Sequence, residues 1–157
     1  MIYPKDFENK IGFKSVKDRL TDLCISEMGK EFVEKMEKGY KTNLSQGGTN
    51  ISGGQKQRLS IARAIARNPE IYIFDDSFSA LDYKTEKEIL SKLNTYYNSK
   101  TFIFISQRIS TLSNCHKIIV LDKGKIVDFG THNELLKKSK LYKEIYNVQK
   151  EVIEYDI

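Results

Sequence analysis

Three short apolar runs limit what this chain can become: Ile71-Tyr72-Ile73-Phe74, Thr101-Phe102-Ile103-Phe104-Ile105 and Lys117-Ile118-Ile119-Val120-Leu121. Each is nearly continuous in hydrophobic residues, too short for a buried helix and without polar alternation. Each therefore predicts a strand covered on both faces. Between the first two, the pattern from Tyr83 to about Tyr97 predicts a helix, with Asp82 as its N-cap. Strands alternating with helices imply an α/β layout with a mainly parallel sheet and flanking helices. Ligands of such sheets sit beyond the carboxyl ends of the strands, and Asp75-Asp76 and Ser106-Gln107 lie at two such ends.

The other elements follow from periodicity and punctuation. Residues 15–38 read as helical, with Ser15-x-x-Asp18 resembling a capping box and Leu20, Leu23 and Cys24 at helical spacing. Gly29 predicts a break, and Phe32, Val33 and Met36 a second short helix ending before Gly39. Segment 40–51 is polar and holds Gly47-Gly48, so it reads as a loop, with Asn50 a candidate cap. From Ser52 the pattern turns helical: Leu59, Ala62 and Ala66 form one stripe, with Ile61 and Ile65 beside it. Pro69 ends that helix at Asn68. Beyond the third strand, Asp122-Lys123-Gly124-Lys125 predicts a turn into a fourth strand, Ile126 to Phe129, in a hairpin. Thr131-x-x-Glu134 is a capping box ahead of Leu135-Leu136, and Tyr142, Ile145, Tyr146 and Gln149 fall at helical spacing in the tail.

Composition narrows the function classes. A length of 157 residues suits one domain with a real core. No apolar run approaches the ~18–20 residues of a membrane span, and the N-terminus lacks a signal-peptide shape, so a cytosolic chain is expected. The net charge of +5 is spread over scattered lysines such as Lys137, Lys138 and Lys140, which read as solvated helix faces. No basic stripe interleaved with aromatics points to nucleic acid. Cys24 and Cys115 stand far apart without a CxxC, so reduced thiols are expected rather than a disulfide framework or zinc site. His116 and His132 have no metal-ligand partner at suitable spacing, and Tyr142, Tyr146 and Tyr155 read as packing or partner contacts.

The chemistry centres on Asn50-Ile51-Ser52-Gly53-Gly54-Gln55-Lys56-Gln57-Arg58. A hydroxyl, two residues without Cβ and an amide stand at a helix start. Unspent N–H groups and the helix dipole there suit a phosphate oxygen. Ser-Gly-Gly alone is equally compatible with an ordinary N-cap after a loop. The wider pattern adds more. Ile51 to Ala64 resembles the signature motif and following helix of ABC-type ATPases almost letter for letter. Asn68-Pro69, the strand to Asp75, and Ser79-Ala80-Leu81-Asp82 follow at family spacing. Lys123-Gly124-Lys125-Ile126 and Gly130-Thr131-His132-x-Glu134-Leu135 also resemble ABC exporter sequence.

The resemblance covers about residues 9–148. It implies ATP and Mg²⁺ as cofactors. Asp75 takes the Walker B position as a metal-holding carboxylate, and Ser79, Ala80, Leu81 and Asp82 the D-loop. Ser52, Gly53, Gly54 and Gln55 would contact nucleotide held by a second nucleotide-binding domain. Two positions depart from the family. Asp76 stands where Glu usually polarises the attacking water, and Gln107 where a histidine contacts the γ-phosphate. Glutamine donates a hydrogen bond but cannot carry a proton near neutral pH. Together these departures resemble the degenerate half of a heterodimeric exporter.

A further expectation concerns what is missing. No stretch fits G-x-x-x-x-G-K-[ST]: Gly48-x-x-x-x-Gly53 has the spacing, but Gly54 follows where Lys is needed. The expected fold is a partial P-loop NTPase (RecA-like) core plus part of the ABC helical subdomain, without the Walker A segment and with some apolar surface uncovered. Within one incomplete domain over 1–157, about 7–68 would be helical subdomain, 69–140 Walker B core and 141–157 a C-terminal helix. The implied partners are a second nucleotide-binding domain and a membrane-spanning domain, with the chain at the cytoplasmic face of a membrane. The rival readings are an inactive gene remnant, a non-enzymatic module pairing with a P-loop chain, and a DNA-repair-type ABC ATPase. Residues 15–38 are too short for the long coiled coil of the last.

Overall fold

The computed structural model describes residues 30–155. The expectations for 1–29, including the helix from Ser15 and the reduced thiol of Cys24, lie outside the described residues. The described residues divide into two compact units, one up to Ile103 and the other from Phe104 on.

In the first unit, α1 (Lys30–Glu34) buries Phe32 and Val33, and the Arg58 guanidinium lies over the Phe32 ring at 4.9 Å. The loop that follows is not featureless: it contains two 3₁₀ turns, Gly39–Lys41 and Gln46–Gly48. Helix α2 (Gly53–Ala66) buries Ile61, Ala62, Ile65 and Ala66 on one face. It stops two residues before the position predicted from Pro69. Arg67 caps it, and Asn68 turns into the left-handed region at φ 46°, which asparagine tolerates better than most residues. Strand β1 (Ile71–Asp75) follows, then α3 (Tyr83–Tyr96), which buries Ile89 and Leu93. Strand β2 (Thr101–Ile105), in which the division between the units falls after Ile103, pairs with β1, and Thr101 N donates to Glu70 O at 3.0 Å where they begin.

The core of this sheet is aromatic. Tyr72 stacks on Phe102 with centroids 5.2 Å apart and meets Tyr97 edge-on at 6.1 Å, while Phe74 packs against Phe78 at 5.4 Å. These offset and edge contacts suit the ring quadrupoles.

One prediction fails. The apolar runs are not covered on both faces: Tyr72 and Phe74 are buried, but Ile71 is 56% and Ile73 65% exposed, and Ile103 and Ile105 are exposed in β2. Continuous hydrophobicity reports what a strand is suited to meet, and among the described residues nothing covers the second face. The uncovered apolar surface expected from the sequence is therefore present.

The second unit is built on α4 (Ile109–Leu112), β3 (Ile118–Asp122), β4 (Lys125–Gly130), α5 (His132–Lys138) and α6 (Lys140–Tyr155). β3 and β4 form the predicted hairpin, antiparallel, with Asp122 opposite Lys125. Lys123 and Gly124 both have positive φ, 48° and 74°, as a two-residue turn matched to strand twist requires. The hairpin also departs from two-sided burial. Ile118 and Val120 face a core with Ile109, Leu135 and Tyr142, while Ile119, Leu121, Ile126 and Phe129 are exposed. Thr131 and Glu134 make the predicted capping box at α5. His132 is tied into this core: Nδ1 lies 2.9 Å from the Tyr142 hydroxyl. Burial raises the Cys115 thiol above its ordinary value, which fits a reduced, unreactive cysteine.

Candidate functional site

The turn into α2 is built by short polar side chains. Asn50 is not the helix cap. Its Oδ1 accepts from Ser45 N at 3.1 Å and Ser45 Oγ at 3.0 Å, and its Nδ2 donates to Asn43 O at 3.2 Å, which holds the preceding loop closed. The cap is Ser52, in a reciprocal box that sequence reading missed. Ser52 Oγ accepts from Gln55 N at 3.2 Å, and Ser52 N donates to Gln55 Oε1 at 2.9 Å. The Ser-x-x-Gln spacing was the signal for it.

This box sorts the donors. The Gln55 backbone amide is spent on Ser52, and Lys56 N on Ser52 O at 2.9 Å. The Gly53 and Gly54 amides stand in the first helical turn, where no helical carbonyl lies four residues back to accept from them. With the Ser52 hydroxyl proton they form a compact donor set at the positive end of a 14-residue helix. That set fits an anionic oxygen.

The same turn packs on the segment after β1. A Cβ on Gly54 would lie 2.9 Å from Ala80 O, whereas one on Gly53 would meet only Ala80 Cβ at 3.6 Å. Gln57, quoted above within the motif but without a role of its own, bridges the two pieces. Its Nε2 donates to Asp76 O at 3.2 Å and to Ser79 Oγ at 2.9 Å, while its Oε1 accepts from Ala80 N at 2.8 Å.

Asp75 ends β1 with an exposed carboxylate, a hard oxygen donor of the kind Mg²⁺ takes alongside phosphate and water. Among the described residues no cluster of three or more His, Cys, Asp or Glu could hold a metal ion unaided. Asp76 is exposed and left-handed at φ 47°, with its carbonyl also accepting from Ser79 Oγ at 3.0 Å. Of the two residues that follow Ala80, Leu81 is buried and Asp82 caps α3 as predicted. Its carboxylate accepts from Thr85 N at 2.9 Å and Thr85 Oγ1 at 2.7 Å, and these bonds hold it below the usual carboxylate range. The structure thus brings Ser52–Gln55, Asp76 and Ser79–Ala80 together through Gly54 and Gln57.

Gln107 lies in the second unit, with its side chain exposed and its backbone fixed from α6. Gln149 Nε2 donates to Gln107 O at 2.8 Å, and Gln149 Oε1 accepts from Ile109 N at 2.9 Å. Replacing Gln149 with Leu leaves both groups without these partners, so a loss of about 1–3 kcal/mol is expected in urea unfolding, with faster amide exchange at Ile109. Gln149→Glu keeps the acceptor and should lose less. An unchanged midpoint in Gln149→Leu would sink this account.

Comparison with known proteins gives consistent results. A family model described as ABC transporter matches residues 8–79. The chain is 45% identical over 132 residues to an uncharacterized ABC transporter ATP-binding protein, YfiB, of Bacillus subtilis, covering 84% of this chain and 23% of that protein. It is 44% identical over 119 residues to an ATP-dependent lipid A-core flippase of Haemophilus ducreyi, covering 76% and 20%. Against the alpha-hemolysin translocation ATP-binding protein HlyB of Escherichia coli it is 43% identical over 120 residues, covering 76% and 17%. The chain spans about a fifth of the length of these relatives. A solved structure of a bacterial Atm1-family ABC exporter with ATP bound superposes with a TM-score of 0.77 at 36% identity, covering 87% of this chain and 24% of that one.

Proposed function

We propose a function from the premise that this chain belongs to the ATP-binding domains of ABC transporters. It is the signature-bearing part of an exporter ATPase and completes an ATP site whose phosphate loop lies outside these 157 residues. The observation that carries this reading is the donor set at the start of α2. Gly53 N, Gly54 N and the Ser52 hydroxyl stand together in that first turn, and the Ser52–Gln55 box that shapes it uses none of their protons.

In this reading the set contacts the γ-phosphate of ATP bound by a second nucleotide-binding domain. Asp75 serves the chain's own site, where it would hold Mg²⁺ beside nucleotide. Asp76 and Gln107 make that site a poor hydrolytic one. ATP with Mg²⁺ supplies the transferable phosphoryl group and its charge neutralisation when bound. The chain's own contribution is positioning. A membrane-spanning domain would couple the cycle to transport and keep the chain at the cytoplasmic face of the membrane. The domain would be incomplete without a Walker A segment, with the helical subdomain over about 7–68, the Walker B core over 69–140 and a mainly parallel sheet in the whole.

The test uses the 157-residue chain and an isolated ABC nucleotide-binding domain that has its phosphate loop but a substituted signature serine. Calorimetry with MgATP on the chain alone should give no micromolar binding. Adding ATPγS should make the two proteins associate, and a bulky residue in place of Ser52 should abolish that association. Micromolar binding by the chain alone, or no nucleotide-dependent association, would count against the proposal.

A further inference from the structure

We infer that Gln57 is a positioning residue that pins the signature turn to the Asp76–Ala80 segment, so that the two respond as one piece. The side chain sits one turn into α2, half-buried, with both ends of its amide engaged. The Nε2 end reaches the carbonyl of Asp76, the residue whose backbone is left-handed at φ 47°. That conformation is costly for a residue with a Cβ, and persists only where its surroundings hold it. Here the Asp76 carbonyl accepts from Gln57 Nε2, Ser79 Oγ and Ser79 N, at 3.2, 3.0 and 3.3 Å. The Oε1 end takes the Ala80 amide, next to the carbonyl that Gly54 approaches.

The consequence is directional. Anything that displaces the first turn of α2 moves Gln57, and through it the peptide that aims the Asp76 carboxylate and the Ser79-Ala80 turn. The part of this inference that concerns nucleotide rests on the proposed function. Contact of the Ser52–Gly54 turn with one nucleotide would then reset Asp76 at the chain's own site.

Two variants separate the ends of the amide. Gln57→Met fills the same space without hydrogen bonds. Gln57→Glu keeps an acceptor for Ala80 N but has no donor for Asp76 O. In the free 157-residue chain, hydrogen exchange at the Ala80 amide should be about tenfold faster in Gln57→Met and close to wild type in Gln57→Glu. Equal Ala80 rates in all three proteins overturn the inference, whatever the association experiment gives.

The second measurement follows backbone amide shifts while the P-loop-bearing domain and ATPγS are added. In the wild type the perturbation should reach both Gly53–Gln55 and Ser77–Ala80. In Gln57→Met it should stop at Gly53–Gln55, an outcome that a general loss of stability would not produce. Equal transmission in Gln57→Met overturns the coupling. Absence of association counts against the function proposal instead, and the exchange rates still decide whether Gln57 is the pin.

Discussion

Asp76→Glu together with Gln107→His is expected to raise ATP hydrolysis about a hundredfold when this chain is joined to a segment that supplies a phosphate loop. The magnitude follows from the two roles. A general base contributes roughly 10²–10⁴-fold, and it must reach within about 2.6–3.2 Å of the proton it takes. Aspartate falls short of glutamate by one methylene, roughly 1.5 Å, which is half of that reach. Glutamine at 107 still donates a hydrogen bond but supplies no protonatable ring. Both changes act on the reacting geometry rather than on ground-state affinity, so kcat should rise while KM for ATP stays near its starting value. The gain has a structural cost. Asp76 occupies φ 47°, where a short carboxylate is better tolerated than a longer one, so the Glu variant should lose about 1 kcal/mol of stability. No rise in kcat in the double variant would count against the degenerate-site reading.

What the sequence made legible depended on how local the controlling interaction was. Asp82 and Thr131 cap their helices as predicted because a cap is a three-residue event. The β3–β4 hairpin was readable for the same reason, since Lys123-Gly124 carries the turn geometry within itself. Burial was less readable. Ile73 and Ile119 looked like interior strand residues and are exposed, because covering them needs elements outside the strand's own neighbourhood. The site shows the same divide. Ser52 to Gln55 stood out with a role, whereas Gln57 and Gln149 were only positions in a motif and a helical stripe, since their partners lie 19 to 23 and 40 to 42 residues away. A single glutamine has no local signature. Its role is visible only once the chain has folded.

Gly53 and Gly54 are adjacent and look interchangeable, yet their alanine variants should move stability in opposite directions. Ordinarily Gly→Ala in a helix gains roughly 0.5–1 kcal/mol, because the unfolded chain loses freedom it would otherwise regain. Gly53→Ala has room for that gain, as its new Cβ would touch only Ala80 Cβ at 3.6 Å. Gly54→Ala does not, since its Cβ would sit 2.9 Å from a backbone carbonyl, Ala80 O, and 3.7 Å from Leu81 Cδ2. Backbone cannot rotate away as a side-chain tip would, so overpacking of about 1–3 kcal/mol should outweigh the entropic gain. At roughly 2–4 °C per kcal/mol for a chain of this size, Gly54→Ala should melt several degrees lower and Gly53→Ala at or slightly above wild type. Nucleotide-dependent association should fall in both, because either methyl group intrudes where backbone amides must approach an anion closely. Equal shifts in melting temperature would remove the intramolecular reason for Gly54. The expected split assigns the second glycine two tasks, close approach to the ligand and close approach to Ala80, and the first glycine only one.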